Sequence, residues 1–204
     1  MAPSSATIGV FGGSFDPIHL GHLLMAEQAR EQLGLSRLLF MPAARSPYKS
    51  GQAPADDHHR RAMVELAIAD HPAFALSTVD LDRPPPSYTI DSLTLLRAAI
   101  PAATEWVLVL GADSLVGLSG WKEPARIAAQ ARLAVFARPG VALDLGALVE
   151  RMPFLSGRVA LLDGPRVEIS ATDIRPFSKP SSGHWHEARA SGHRPSSRPN
   201  WPSW

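Results

Sequence analysis

Two histidines beside a glycine-rich turn form the pattern in this sequence that most clearly suggests chemistry. Residues 12–22 read Gly-Gly-Ser-Phe-Asp-Pro-Ile-His-Leu-Gly-His. The glycines let the backbone approach a ligand closely, and a helix start supplies N–H groups for a phosphate. His19 and His22 are three residues apart, so a helix places both imidazoles on one face, where they can donate to the same phosphate oxygens. Bound phosphate also favours the imidazolium form. A tight turn with two surface histidines is the plainer alternative for the pair alone.

The whole segment resembles the Gly-Gly-x-Phe-Asp-Pro-x-His-x-Gly-His signature of the nucleotidyltransferase superfamily. Members of that superfamily adenylylate small phosphorylated substrates. Within it, residues 7–175 resemble the bacterial nicotinate-nucleotide adenylyltransferases. The resemblance implies transfer of AMP from ATP to nicotinate mononucleotide, which gives deamido-NAD and pyrophosphate. It also implies that His19 and His22 are catalytic and that Mg²⁺ arrives with the ATP, since this ion usually binds through substrate phosphates.

Two further segments are similar to motifs of the same family. Residues 42–49 read Pro-Ala-Ala-Arg-Ser-Pro-Tyr-Lys and match a Pro-x-x-x-Pro-Pro-His-Lys loop, although Ser46 and Tyr48 depart from it. Lys49 remains, and a lysine charge suits a phosphate. Residues 82–93 match a stretch that ends in Pro-Ser-Tyr-Thr-x-Asp-Thr-Leu. Here Thr89 can cap the following helix, and the resemblance places this helix start against the nicotinate.

The remaining motifs follow later strands. Gly-Ala-Asp at 111–113 and the tryptophan after it match the family, in which the indole packs on the pyridine ring, as an aromatic face can. Residues 169–175 read Ile-Ser-Ala-Thr-Asp-Ile-Arg. Their Ser-x-x-Asp spacing resembles a capping box, and the hydroxyls and arginine could hold ATP phosphates. The resemblance implies nicotinate-nucleotide binding by Tyr88, Thr89 and Trp121, and ATP or phosphate binding by Gly12, Gly13, Ser14, Phe15, Lys49, Gly111, Asp113, Ser170, Thr172 and Arg175.

The elements around these motifs alternate between strands and helices. Such alternation predicts an α/β fold, a Rossmann-like parallel sheet flanked by helices. Ligands on these sheets lie beyond the carboxyl ends of the strands, where the motifs fall. Apolar runs predict strands at 7–11, 37–41, 74–79, 106–110, 133–137 and 159–162. Helical spacing predicts helices at 20–33, 56–69, 90–99 and 124–130.

Composition excludes several classes of protein. The 204 residues are 45% hydrophobic and 19% charged, and none is cysteine, so disulfides and thiolate chemistry are ruled out. We see neither a signal peptide nor an apolar run of the ~20 residues that a membrane helix needs, and we expect a cytoplasmic protein. Residues 1–175 carry 16 basic and 18 acidic side chains, which gives no case for nucleic-acid binding. The pair His58-His59 beside Arg60-Arg61 predicts a solvated polar face, and we expect no metal site in the protein.

The resemblance ends at Arg175. Pro176 follows directly, and a proline inside a helix removes a hydrogen bond, so we expect the helix that starts at Ser170 to break there. Residues 176–204 contain five prolines, seven serines and three tryptophans but no aliphatic Leu, Ile, Val or Met, a composition that cannot build a core. We therefore predict a nucleotidyltransferase domain at 1–175 and an atypical tail at 176–204. The tail is either out-of-frame translation or a native disordered extension.

Two alternatives for function stay open at this point. A related adenylyltransferase could use nicotinamide mononucleotide or phosphopantetheine, although the Ser-Tyr-Thr stretch and Trp121 argue against phosphopantetheine. An inactive nucleotide-binding remnant would follow if the C-terminal part is lost. The sequence does not give an oligomeric state.

Overall fold

The computed structural model describes residues 6–44, 55–137, 143–164 and 169–178. Its strands are β1 (Ala6–Gly13), β2 (Arg37–Pro42), β3 (Phe74–Leu76), β4 (Ala103–Gly111), β5 (Arg132–Phe136) and β6 (Val159–Leu162). Its α-helices are α1 (Leu20–Leu33), α2 (Asp57–Ile68), α3 (Thr89–Ala99), α4 (Ala112–Val116), α5 (Pro124–Gln130), α6 (Leu145–Arg151) and α7 (Ala171–Ser178). Short 3₁₀ turns cover Gly117–Gly120 and Pro153–Leu155.

All six strands are parallel and form one sheet in the order β3-β2-β1-β4-β5-β6. This is the Rossmann strand order, so the predicted fold class is confirmed. The chain leaves β1 towards one edge of the sheet and returns at β4 towards the other. A crevice therefore opens between the carboxyl ends of β1 and β4, where ligands bind in folds of this kind.

Two apolar layers cover the two faces of the sheet. Along β4, Val107 and Val109 face the layer that holds α1 and α2, while Leu108 and Leu110 face the layer that holds α3 and α5. Because successive side chains of a strand point to opposite faces, a central strand buried on both sides is apolar at every position. The uninterrupted apolar run at 106–110 is explained by this burial, and the strand predicted there is present.

All ten predicted elements are present, with bounds within three residues of those predicted. The bounds of α1, α5 and β6 are those predicted, while β3 ends at Leu76 rather than at 79. The helices α4 and α6 were not predicted, and α4, with five residues, is too short to display a helical period. None of the described helices is long and apolar enough to cross a bilayer.

The expectation that Pro176 breaks the last helix is wrong. Helix α7 runs from Ala171 to Ser178, through the proline. Proline removes only its own N–H bond and has a φ that a helix accepts. The turn before it is held by side chains, since Arg175 bonds to the Thr172 hydroxyl within the helix and to the Asp16 carbonyl outside it. These contacts offset the lost backbone bond. Residues 179–204, on which the predicted tail falls, lie outside the described residues.

Candidate active site

A cavity of about 150 Å³ lies at the crevice between β1 and β4. Its lining combines backbone from the ends of these strands with side chains from the segments that follow. It is formed by Phe11, Gly12, Gly13, Ser14, Met41, Ala43, Asp80, Ser87, Thr89, Leu108, Val109, Leu110, Gly111, Ser114 and Trp121. The sequence motifs from four separate parts of the chain therefore meet at one site.

The signature loop, residues 12–19, joins β1 to α1 and forms one side of the cavity. Its Phe15 has φ = 47°, a left-handed conformation that a bulky residue rarely adopts. The phenyl ring is 1% exposed and packs with ring centroids 5.7 Å from both Phe11 and Phe40. Burial of this ring offsets the strain and fixes the loop, as is common where a backbone must meet a ligand.

Two glycines of the signature motif are required by close contacts. A Cβ on Gly13 would lie 3.0 Å from the Phe15 ring, and a Cβ on Gly21 would lie 3.1 Å from the His19 imidazole. Both distances are shorter than ordinary van der Waals contact, so a side chain at either position would displace an aromatic ring. The glycine between the two histidines therefore leaves room for the first of them.

The two histidines form a compact pair at the start of α1. Their ring centroids lie 3.8 Å apart, with an angle of 34° between the planes. The backbone N–H of His19, the N-cap residue, donates to Nδ1 of His22 over 3.2 Å. Because Nδ1 of His22 accepts this bond, its neutral imidazole carries the proton on Nε2. Nδ1 of His19 is buried and has no hydrogen-bond partner. Burial also lowers the pKa of His19 below its usual value.

Helix α7 brings a second group of polar residues to the signature loop. The predicted capping box is confirmed: Ser170 Oγ accepts from the Asp173 N–H over 3.3 Å, and Asp173 Oδ2 accepts from the Ser170 N–H over 3.1 Å. Arg175 donates from Nη2 to Thr172 Oγ1 over 2.8 Å and from Nη1 to the Asp16 carbonyl over 3.0 Å. The arginine thus connects α7 to the loop beside the histidine pair.

The α3 wall, formed by Ser87, Tyr88, Thr89 and Trp121, closes the other side of the cavity. The expectation that Thr89 caps α3 is wrong, because Thr89 is the first residue of the helix and Tyr88 occupies the N-cap position without a side-chain capping bond. Tyr88 instead lies under the ammonium of Lys122, which is 4.8 Å from the centre of its ring. The N–H groups at this helix start therefore lack a side-chain cap where the wall meets the cavity.

A network of polar side chains holds the start of α3 in place. Asp80 is 3% exposed, and its Oδ1 accepts from Arg83 Nη2 over 2.6 Å and from the Ser92 hydroxyl. Arg83 also donates to the Val79 carbonyl over 2.9 Å and to Ser92 Oγ over 2.8 Å. Because the buried carboxylate has an arginine and a hydroxyl as partners, its charge is compensated.

The structure brings together most of the residues that sequence motifs assigned to the site. Six of them line the cavity: Gly12, Gly13, Ser14, Thr89, Gly111 and Trp121. Phe15 lies beneath the loop, and the histidine pair and Arg175 flank it. Asp113, in the first turn of α4, is exposed and is not part of the lining. Lys49 lies outside the described residues.

Sequence reasoning missed Asp80, Ser87 and Ser114 in the lining, and it misjudged Arg60. The expected solvated face on α2 is confirmed for His58, His59 and Arg61, which are exposed, but it is wrong for Arg60, which is fully buried. Helical spacing could have revealed this, because Arg60 is four residues before Val64 and eight before Ile68, the other buried residues of α2.

Curated relatives resemble this chain over most of their length. A probable nicotinate-nucleotide adenylyltransferase of Roseiflexus sp. (strain RS-1) is 49% identical over 172 residues, which are 84% of this chain and 85% of the relative. A protein of the same name from Thermus thermophilus is 46% identical over 168 residues, with 82% of this chain and 84% of the relative covered.

A solved structure and a family model also match the chain. The Plasmodium falciparum nicotinic acid mononucleotide adenylyltransferase in complex with NaAD has a TM-score of 0.68 at 18% identity, covering 84% of this chain and 83% of that one. At this identity the likeness shows the fold alone. The family model described as cytidylyltransferase-like matches residues 10–177. The chain therefore belongs to the cytidylyltransferase-like family and, within it, to the nicotinate-nucleotide adenylyltransferases.

Proposed function

We propose that this chain transfers AMP from ATP to nicotinate mononucleotide, which yields deamido-NAD and pyrophosphate. The observation that carries the proposal is the pairing of the two sides of the cavity. The signature loop offers glycine backbone, a helix start and two imidazoles, the groups that bind phosphates. The α3 wall offers an indole and uncapped helix N–H groups, which suit a flat ring with a carboxylate. The relatives named nicotinate-nucleotide adenylyltransferase and the solved structure with NaAD support this acceptor.

The reaction needs no nucleophile from the protein. An oxygen of the nicotinate-mononucleotide phosphate attacks the α-phosphorus of ATP, and the bond from that phosphorus to the β-phosphate oxygen breaks. Pyrophosphate leaves with the bonding electrons, and the new phosphoanhydride joins the two nucleotides. In such a step the protein contributes positioning and stabilises charge on the phosphates.

The histidine pair is placed to stabilise that charge. The neutral His22 ring carries its proton on Nε2, and Nδ1 of His19 is buried without a partner in the free protein. Phosphate oxygens supply acceptors for imidazole N–H groups, and their negative charge favours the imidazolium form of His19. Ser170, directly before α7, and Thr172 and Arg175 within it add donors for the ATP phosphates beside the loop. Lys49 completes this set in our proposal.

The side chains around the cavity fit a metal ion that enters bound to the nucleotide, not one held by the protein alone. The described ranges place no three His, Cys, Asp or Glu side chains together to hold a metal, and Mg²⁺ commonly keeps phosphate oxygens and water as most of its ligands. When bound, Mg²⁺ would neutralise charge on the pyrophosphate group.

The start of α3 is our proposed determinant for nicotinate. A carboxylate accepts hydrogen bonds from helix N–H groups and is favoured by the helix dipole. The amide of nicotinamide brings N–H donors instead, and a donor facing a donor in a desolvated site costs about 1–3 kcal/mol. The same wall argues against phosphopantetheine, which has no ring to pack on Trp121. The inactive-remnant alternative relied on loss of the C-terminal part, of which the described residues retain α7 with Arg175 docked.

The test is release of pyrophosphate from ATP and Mg²⁺ by the purified chain with each acceptor in turn. We expect nicotinate mononucleotide to be used with at least about fivefold higher kcat/KM than nicotinamide mononucleotide, from the mismatch above, and phosphopantetheine to give no signal. Equal kcat/KM with both pyridine nucleotides would reject the role of the α3 wall. No release with any acceptor would reject the proposed reaction.

A further inference from the structure

Arg60 is the one fully buried charged side chain among the described residues, and none of the family-like motifs contains it. Four of the five N–H groups of its guanidinium have partners. Nε donates to the Ala55 carbonyl over 3.1 Å, Nη1 to the Ser14 carbonyl over 2.7 Å, and Nη2 to the Ala44 carbonyl over 3.3 Å and to the Asp57 carboxylate. The side chain therefore connects three separate segments.

Two of these segments line the cavity. Ser14 lies in the signature loop, and Ala44 directly follows Ala43, which lines the cavity at the end of β2. The Ala43 N–H also donates to the Gly13 carbonyl over 2.9 Å, so the two segments are in direct contact above the arginine. The guanidinium thus ties both segments together from within the protein, on the side away from solvent.

The bond to Ser14 also fixes the direction of an N–H group. The peptide between Ser14 and Phe15 is trans, since the described cis bonds are elsewhere, and in a trans peptide the carbonyl and the following N–H point in opposite directions. The Ser14 carbonyl points to Arg60, so the Phe15 N–H points away from it. The strained φ of Phe15 is the torsion directly after this peptide, so the bond from Arg60 and the buried Phe15 ring together hold the loop in this conformation.

We infer that Arg60 is a positioning residue for adenylyl transfer, which orients the backbone of the signature loop, and the Phe15 N–H in particular, towards the triphosphate. The inference rests on the proposed function for its catalytic consequence. Its chemistry requires arginine: a planar fork reaches three carbonyls at once, whereas a lysine ammonium is a point donor on a flexible stem. Arg60 itself does not line the cavity, so its effect on ATP is transmitted through the loop.

The experiment compares Arg60→Lys with Arg61→Lys, which changes the neighbouring arginine on the exposed face of α2. We expect Arg60→Lys to lower kcat/KM for ATP on the order of 10²-fold, as small displacements of a positioning group do, and to weaken binding of a non-hydrolysable ATP analogue. Arg61→Lys should leave both within twofold of wild type. All rates are measured well below the melting temperature of each variant, so that unfolded protein does not contribute.

A second comparison separates positioning from simple loss of structure. Arg83→Lys disturbs the network behind the α3 wall and should raise KM for nicotinate mononucleotide while leaving the affinity for the ATP analogue within twofold. Arg60→Lys should instead weaken binding of the ATP analogue and leave KM for nicotinate mononucleotide within twofold. A different outcome is that Arg60→Lys lowers the melting temperature but changes the affinity for the ATP analogue and KM for nicotinate mononucleotide by the same factor, or changes neither. In that case Arg60 is a stability residue and the inference is overturned.

Two further outcomes are decisive. Arg60→Gln is made alongside, because its neutral amide can still donate to one carbonyl if the lysine variant fails to fold. If neither variant gives folded protein, Arg60 acts through folding alone and the inference is rejected. If the wild-type chain releases no pyrophosphate, the proposed function fails, but the analogue-binding comparison still decides whether Arg60 orients the nucleotide site.

Discussion

The signature loop and the α3 wall face each other across one cavity, yet they are held by different kinds of contact. Behind the signature loop lies a wholly buried guanidinium that bonds to backbone carbonyls. The α3 wall has a buried carboxylate network behind it, but its Trp121 segment is joined to α3 by Lys122, an exposed side chain bonded to Asp91 over 3.0 Å. Exposed ion pairs of this kind contribute little to stability, and salt screens them.

The difference matches the roles that we propose for the two sides of the cavity. In our proposal the signature loop meets the transferred phosphorus with donors in one fixed geometry, which a rigid loop provides. The acceptor ring needs only a flat surface and a few N–H groups, and an adjustable contact suffices for those. We therefore expect changes near the signature loop to affect turnover, and changes at the α3 wall to affect acceptor affinity.

The largest effect is expected at the histidine pair. His19→Ala or His22→Ala should lower turnover on the order of 10²–10³-fold, the usual cost of one oriented transition-state donor. His22→Ala should also lower the free energy of unfolding by about 1 kcal/mol, because Nδ1 of His22 accepts the His19 N–H at the start of α1.

Steady-state kinetics and thermal melting check both expectations. His58→Ala, a histidine on the exposed part of α2, is the matched control and should leave turnover unchanged. Turnover near the wild-type value in either active-site variant would remove that histidine from the mechanism and weaken the contrast between the two sides.

The signature loop could be located from sequence because its residues form one contiguous segment. Glycines and histidines at fixed spacing are visible along the chain, as is the apolar run of β4. Arg60 was not predictable in the same way, because its role depends on two carbonyls that lie 46 and 16 residues away in sequence. The α7 helix was misjudged because local proline chemistry indicated a break, while a bond over 159 residues to Asp16 holds the turn before it.

A smaller effect is expected at Arg175. Arg175→Ala removes the donors that we propose for the ATP phosphates, and a hydrogen bond to a charged group is worth about 1.5–3 kcal/mol. KM for ATP should therefore rise by at least about tenfold, while KM for nicotinate mononucleotide changes less. Arg61→Ala, which removes an exposed charge from α2, is the control. An unchanged KM for ATP would show that Arg175 serves only to dock α7 on Asp16.

Lys122 tests the adjustable side and should give an effect of a few fold. Loss of an exposed ion pair costs about 0.2–1 kcal/mol, so Lys122→Ala should raise KM for nicotinate mononucleotide by less than about sixfold with kcat unchanged. The difference from wild type should shrink in high salt, which screens the pair. Arg126→Ala removes the nearby exposed pair with Glu123 and should have no effect. A large loss of kcat in Lys122→Ala would mean that the α3 wall also positions reacting groups.

The smallest expected signal is a fraction of a proton, and it concerns the signature loop alone. Burial lowers the pKa of His19 in the free protein, so the imidazole is neutral near pH 7. A bound polyphosphate favours the imidazolium and raises that pKa, so binding takes up protons. Affinity for the nucleotide should then be higher at low pH, and this gain in affinity should be lost as the pH rises through the pKa of His19 in the complex. Titration calorimetry of a non-hydrolysable ATP analogue in two buffers of different ionisation enthalpy measures the uptake.

The uptake should be smaller in His19→Gln and unchanged in His71→Gln. His71 lies in the turn after α2, and its imidazole pairs with Glu27 of α1 over 3.2 Å. Nicotinate riboside, which has a carboxylate but no phosphate, should bind the α3 wall without any uptake that depends on His19. The comparison between variants cancels protons released by the analogue itself, because each protein binds the same ligand. Equal uptake by wild type and His19→Gln would mean that His19 stays neutral in the complex. It would then act as a neutral donor, and the two sides of the cavity would differ in rigidity but not in charge.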